Sequence, residues 1–193
     1  ALPICDIAGL MEQYDNYYAK LSKYNSNEEN QTHISESIKE ELDQNNIVSG
    51  KVPLQGQGIV INLNDASTEN INNSYGYERE LRLVHNTDII QVINDLKNAG
   101  AEVISINGQR IMDRTEVYCS GPFIRVNGVK ISVPFTISAI GNKEVLYNYM
   151  LSNENYLKTL MIRKIRVDVE QTDDVKIPAY TGEDKIEFMK VNQ

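Results

Sequence analysis

The feature that most constrains this chain is an Asn-Gly pair, Asn127-Gly128, set between two apolar runs. Phe123 to Val126 precede it and Val129 to Val133 follow. Asn-Gly in that setting favours a two-residue type I′ turn, because both central residues must take positive φ. A β-hairpin is therefore expected. Pro134 cannot donate to a ladder, so it permits only an edge or the start of a strand. Phe135 to Ile140 read as that next strand, and Glu116 to Cys119 as a shorter one ahead of the hairpin.

Upstream, Gly58 to Asp65 reads GIVINLND, a short β-type run ended by Asn64 and Asp65. Asn86 or Thr87 is expected to cap a helix over 87–99, with Asp88 placed to meet the positive end of the dipole. Ile89, Val92, Ile93 and Leu96 supply its apolar face, and Gly100 its stop. Ala101 to Ile106 follow as a strand. Strand, helix, strand implies a right-handed crossover between parallel strands.

After the hairpin block, Gly141 and Asn142 open a helix carrying Val145, Leu146, Tyr149 and Met150. Asn153 to Asn155 weaken it, and Tyr156, Leu157, Leu160 and Met161 resume the face, so one bent helix or two short ones are expected. Ile165, Val167 and Val169 alternate with Arg166, Asp168 and Glu170, the pattern of a half-buried strand. The tail, with Pro178 and Gly182, has room for one more edge strand. This order predicts an α+β fold, a ferredoxin-like α/β plait with an extra β-hairpin.

Two stretches fall outside that pattern. Residues 66–84 are polar, interleave Asn70, Asn72, Asn73 and Gly76 with Tyr75 and Tyr77, and read as a long surface loop. Residues 1–50 hold nine acids and three bases, a net of −6, against eighteen acids and sixteen bases in the rest. Ile7, Met11, Tyr14, Tyr18 and Leu21 step by four and three, a short heptad stripe, and Ile34, Ile38 and Leu42 form a second patch. The expectation is a helical, coiled-coil-like arm over 1–50, with helices near 5–24 and 31–45, ahead of a globular domain over 51–193. Such an arm either packs on its own domain or mediates self-association or partner binding. Gly50 to Gly58 reads as the linker between the two, with Gly56-Gln57-Gly58 as a turn, since a phosphate loop would need a strand before it and a helix after it.

With 193 residues, 41% of them hydrophobic, the chain can build one core plus an appendage. No apolar run approaches the roughly 18 residues of a membrane span, and no basic region followed by an apolar stretch marks a signal peptide. A net charge of −8 argues against a nucleic-acid partner. The candidate strands also lack the aromatic pattern of an RNA-recognition module. His33 and His85 lie 52 positions apart with no patterned carboxylates, so no metal centre and no cofactor are expected. Cys5 and Cys119 form no CxxC and read as one packed and one incidental thiol.

The most distinctive polar run is Ser105, Asn107, Gly108, Gln109 and Arg110, at the end of a strand. Asn107-Gly108 can re-aim the chain, and Gln109 and Arg110 then offer donors, Arg being suited to carboxylate or phosphate. With His85 at a helix start, these make His85, Asn107, Gln109 and Arg110 the candidate ligand-binding set, for a small anion or a peptide terminus. The bland reading is that Arg110 pairs with an internal acid and Asn107 satisfies backbone groups. Gly100, Gly108, Asn127, Gly128 and Gly141 are structural turns. No catalytic constellation is recognised.

The segments LVHNTDIIQVINDLKNAGAEVISINGQRI, CSGPFIRVNG, ISAIG and DVKIPAYTG, in that order, resemble the domain of unknown function 881 family of YlxW/YlxX-like bacterial proteins. The resemblance covers roughly residues 55–182. The matching positions are His85, Asn107, Gly108, Gln109, Arg110, Cys119, Gly121, Pro122, Asn127, Gly128 and Gly141. It implies a similar plait preceded by a coiled-coil-like segment, held outside the cytoplasmic membrane by an anchor that this sequence does not contain, in a setting linked to division and the cell wall. It assigns no catalytic residues. The expectation is a non-enzymatic, envelope-associated interaction domain.

Overall fold

In the computed structural model, the structure describes residues 14–19, 31–182 and 187–190. The chain divides into two compact units, residues 1–48 and 49–193. In the first, residues 14–19 are helical (α1), and α2 spans Gln31–Val48. Tyr14 and Tyr18, two members of the heptad stripe, stack with ring centroids 6.1 Å apart and stay exposed. Cys5, Ile7, Met11 and Leu21 lie outside the described residues. Ile38 and Leu42 on α2 are exposed. Among the described residues no helix is long and apolar enough to cross a membrane.

The second unit is a mixed α+β domain with antiparallel sheets. Its first strand, β1, covers Leu54–Asn64. Two short helices follow, α3 (Thr68–Asn72) and α4 (Tyr77–Leu81), and then α5 (Asn86–Asn98). Next come β2 (Val103–Ile106), β3 (Gln109–Arg110), β4 (Val117–Ser120), β5 (Phe123–Val126), β6 (Val129–Ile131) and β7 (Phe135–Ile140). Helices α6 (Lys143–Met150) and α7 (Tyr156–Ile162) lead into β8 (Arg166–Ile177). Five strands form one sheet in the order β3-β2-β7-β1-β8, and β4-β5-β6 form a second.

The core follows from the alternation of side chains. Ile59, Ile61 and Leu63 on β1 are fully buried and share a face with Ile137 and Ala139 on β7 and with Ile104 and Ile106 on β2. Against them pack Ile89, Val92 and Leu96 of α5, Leu146 and Met150 of α6, and Leu157 and Leu160 of α7. Each such side chain contributes roughly 1.5–3 kcal/mol of burial. On the opposite face of the large sheet, Ile140, Val175 and Ile177 form a small second cluster with Leu54 and Val103.

Several elements differ from the sequence reading, each for a local reason. β1 and β2 run parallel, as the strand–helix–strand order implies, with β7 between them and antiparallel to both. Gly56 and Gly58 belong to β1 rather than to a linker, and an irregularity in the β1–β8 register falls between them. A Cβ on Gly58 would overlap the carbonyl oxygen of Ala139, so this strand position tolerates no side chain. The helix expected over 87–99 begins at Asn86, with His85 as its cap residue. It closes as a Schellman motif, with Gly100 N–H donating to the Lys97 carbonyl and Ala101 N–H to the Leu96 carbonyl. The tail adds no strand among the described residues; β8 itself extends to Ile177 and takes in that apolar material.

The two Asn-Gly hairpin turns, β2–β3 and β5–β6, have the geometry that this pair favours. Asn127 and Gly128 take φ 51° and 74°, and Asn107 and Gly108 take 45° and 76°. Gly141 is buried, and its N–H donates to the Gln57 carbonyl. Beyond β8, the Tyr180 N–H donates to the Gly50 carbonyl at 2.7 Å. The Gly58→Ala variant is expected to lose about 3 kcal/mol of stability, from overpacking against a backbone that cannot move aside. A urea unfolding midpoint unchanged from wild type would contradict this account of β1.

Candidate functional site

The polar centre of the second unit lies at the N-terminus of α5. Asp88 sits in the first turn of that helix, where a carboxylate meets unpaired N–H groups and the positive end of the dipole. Only 1% of its surface is exposed. Arg163, just past α7, meets it with a two-pronged ion pair: Nη1 to Oδ1 at 2.6 Å and Nη2 to Oδ2 at 3.1 Å. The Tyr156 hydroxyl donates to Oδ1 at 2.7 Å and the His85 backbone N–H to Oδ2 at 2.8 Å. Four donors thus meet the roughly four lone-pair positions of a carboxylate. Arg163 also donates from Nε to the Leu81 carbonyl at 2.9 Å and from Nη2 to the Leu83 carbonyl at 2.8 Å.

These contacts set the protonation states. Burial raises the Asp88 pKa, but the hydrogen bonds from Arg163, His85 and Tyr156 and the charge of Arg163 outweigh it, holding the carboxyl below its usual range. Burial and the bond to Asp88 push the Tyr156 phenol up to about 12. Burial lowers the pKa of Arg163, and the Asp88 carboxylate more than restores it.

The segment expected as a loop is folded around this pair. Ser67 caps α3 by accepting from the Asn70 N–H. Arg82 donates to the Arg163 carbonyl at 3.0 Å and pairs with Glu78 at 2.8 Å. Asp65 accepts from the Val84 N–H at 2.8 Å. Above the pair opens a cleft of about 510 Å³, walled by Tyr77, Glu80 and His85 and floored by Asp88, Tyr156 and Arg163. Tyr156 also borders a smaller cleft of about 330 Å³, lined as well by Asp95 and Asn155.

Of the sequence-derived set, only His85 borders the larger cleft. Its Nε2 lies 2.9 Å from the Glu80 carbonyl, so the proton on that nitrogen donates there. Asn107 at the β2–β3 turn donates to the Pro134 carbonyl at 3.1 Å and accepts from the Thr136 N–H at 2.9 Å. Gln109 pairs with Ile106 across the same turn. Arg110 is 4% exposed and donates to the Val52 carbonyl at 2.9 Å, turned inward and not into a crevice. Its burial lowers its pKa. Asn127 donates to the Arg110 carbonyl at 2.8 Å, joining the two hairpins. Cys119 is free and exposed, with its Sγ 2.9 Å from Asn86 Oδ1. No group of three metal-ligating side chains occurs among the described residues.

Sequence reasoning placed Asp88 correctly as a dipole-facing acid but missed Arg163 and Tyr156. Arg163 lies 75 positions further along the chain, beyond any local pattern.

The fold and this polar centre define a small α+β domain in which the buried charges at the start of α5 are spent on one another. By sequence, residues 41–190 match the family described as bacterial protein of unknown function (DUF881), and the chain belongs to that family. It is 33% identical over 145 residues to the UPF0749 protein YlxW of Bacillus subtilis (strain 168), covering 73% of this chain and 59% of that protein. It is 25% identical over 161 residues to the UPF0749 protein Rv1823 of Mycobacterium tuberculosis (strain ATCC 25618 / H37Rv), covering 77% of this chain and 50% of that one. The chain thus spans between half and three-fifths of these curated relatives. The crystal structure of an uncharacterized conserved protein from Mycobacterium tuberculosis superimposes with a TM-score of 0.62 at 25% identity, covering 79% of this chain and 99% of that one.

The Asp88→Asn variant leaves the Arg163 charge buried without its counter-ion and is expected to cost about 3–5 kcal/mol. Because the folded pKa of Asp88 is depressed, its stabilisation is present in full above the unfolded value near about 4 and is lost as pH falls through the lower folded value. The stability gap between wild type and variant, read from urea unfolding, should therefore narrow below about pH 4. A gap that is constant from pH 7 to pH 3 would overturn this role.

Proposed function

We propose that this chain is a non-enzymatic interaction domain, carried outside the cytoplasmic membrane in a setting linked to division and the cell wall. The observation that carries this reading is the saturation of Asp88. A general base needs an unspent lone pair within reach of substrate, and all four bonds to this carboxylate are internal. Tyr77, which lines the cleft, and Tyr75, two residues before it, are by contrast 78% and 83% exposed. Tyrosines of this kind recur as anchors at protein interfaces.

The core reads as a ferredoxin-like plait. Supporting this, β1, β2, β7 and β8 stand in the order β2-β7-β1-β8, with helical connections from β1 to β2 and from β7 to β8. The three-stranded sheet is then the extra hairpin block. The helical character of 14–19 and Gln31–Val48 supports an arm ahead of it.

Two experiments in cells making the full-length protein test the proposal. A photo-crosslinking amino acid at position 75 or 77 should give a discrete protein adduct that position 97 does not. Equal yields at all three would sink the interaction reading. In a Cys5→Ser background, a membrane-impermeant maleimide should label Cys119 in intact cells. Labelling only after lysis would place the domain inside.

A further inference from the structure

The outward face of the β4–β5–β6 sheet carries a group of side chains that the core does not use. Ile124, Val126 and Ile131 turn inward and are buried. Alternation then sends Tyr118, Phe123, Arg125 and Lys130 to the other side. The register sets Tyr118, Arg125 and Lys130 in one row across the three strands. The Lys130 ammonium stands 5.5 Å from the centroid of the Phe123 ring, and Arg125 Nη1 is 3.5 Å from the Tyr118 hydroxyl. Tyr118 and Phe123 remain 43% and 39% exposed.

The charges on this face are unusual for the molecule. Acids outnumber bases 27 to 19, so a surface base should readily find a carboxylate. Arg82, Lys143, Arg163 and Lys176 each pair with a carboxylate, whereas among the described residues neither Arg125 nor Lys130 does. Glu116, near the turn end, accepts from the Gly128 N–H instead. Two cationic residues at paired positions of neighbouring strands thus each stand beside an aromatic side chain.

We propose that this face docks an acidic peptide segment of a partner protein. Carboxylates meet Arg125 and Lys130, and apolar side chains lie on Tyr118 and Phe123. A guanidinium binds a carboxylate with paired, charge-assisted hydrogen bonds. Arg and Tyr are also the residue types that dominate interface energetics. Charge selects the occupant further. With a net charge of −8, the molecule repels a long polyanion or an anionic bilayer, whose charge extends well past this patch. A short segment with a few carboxylates gains the local attraction within a Debye length of about 8–10 Å and incurs little of that repulsion. The proposal rests on the reading of the chain as an interaction domain and names the partner class for one of its faces.

The test is an NMR titration of the full chain with the hexapeptide Ac-Glu-Tyr-Glu-Ala-Glu-Leu-NH2. Its counterpart with Gln for every Glu, and linear polyphosphate, serve as further probes. Shifts from the acidic peptide should centre on the amides of residues 117–131. They should weaken at least tenfold with the Gln peptide, and at least tenfold in the double variant Arg125→Gln, Lys130→Gln at an unchanged unfolding midpoint. Raising salt from 50 to 300 mM should also weaken them. Equal binding of the Gln peptide, a response to polyphosphate alone, or no shift on this face each overturns the proposal. Crosslinks at Tyr75 and Tyr77 test the interaction reading at a separate place, so a failed titration with those crosslinks present overturns this face alone.

Discussion

The end of the domain around the first turn of α5 depends on one buried ion pair, Asp88 with Arg163. It ties the start of the first crossover helix to the end of the second, 75 positions away in sequence. Burying two charges is costly, and attraction offsets that cost only where geometry is good and the remaining donors and acceptors are filled. Here both conditions hold. The fork of Arg163 meets both oxygens of Asp88, and its other donors reach the carbonyls of Leu81 and Leu83. Those carbonyls lie at the end of α4 and just past it, so the same guanidinium also organises the chain between β1 and α5. Arg82 adds a return bond to the carbonyl of Arg163 itself. Helices as short as α3 and α4 would not persist alone, since nucleation is unfavourable and five residues add few bonds. Tertiary contacts hold them.

That dependence explains where the sequence was legible. Phe135–Ile140, the Asn127-Gly128 turn and the body of α5 announce themselves through alternation, turn chemistry and helical spacing, all local signals. The 66–84 segment did not, because its order comes from Arg82 and Arg163 rather than from its own pattern. Gly56 and Gly58 looked like punctuation because sequence does not distinguish a glycine that frees the chain from one that lets another backbone approach. Arg110 left two readings open, a donor aimed into a crevice or a side chain paired inside with an acid; it is turned inside, but nothing nearby in sequence names the Val52 carbonyl that receives it.

The candidate site shows the same division. Asp88 was visible as an acid at a helix start, and His85 and Asn107 as polar residues at turns. Their partners were not visible, and the partners decide what such residues do. A carboxylate with four internal donors is architecture, whereas a surface arginine without a carboxylate in an acidic protein is available for recognition. Membership of a family of unknown function leaves that distinction to geometry.

The bond from the Tyr180 N–H to the Gly50 carbonyl has a mechanical consequence. It places the entry to β1 and the exit from β8 side by side, at the end of an antiparallel pair that runs from Leu54↔Ile177 to Asn64↔Arg166. A force that pulls these two points apart does not shear the ladder with all its bonds loaded together. It peels the strands open from Gly50 and Tyr180 inward, one bond at a time. Tension between whatever is joined at the two ends would therefore strip β8 away at low force, and the small cluster of Ile140, Val175 and Ile177 would be the first part of the apolar interior to meet water.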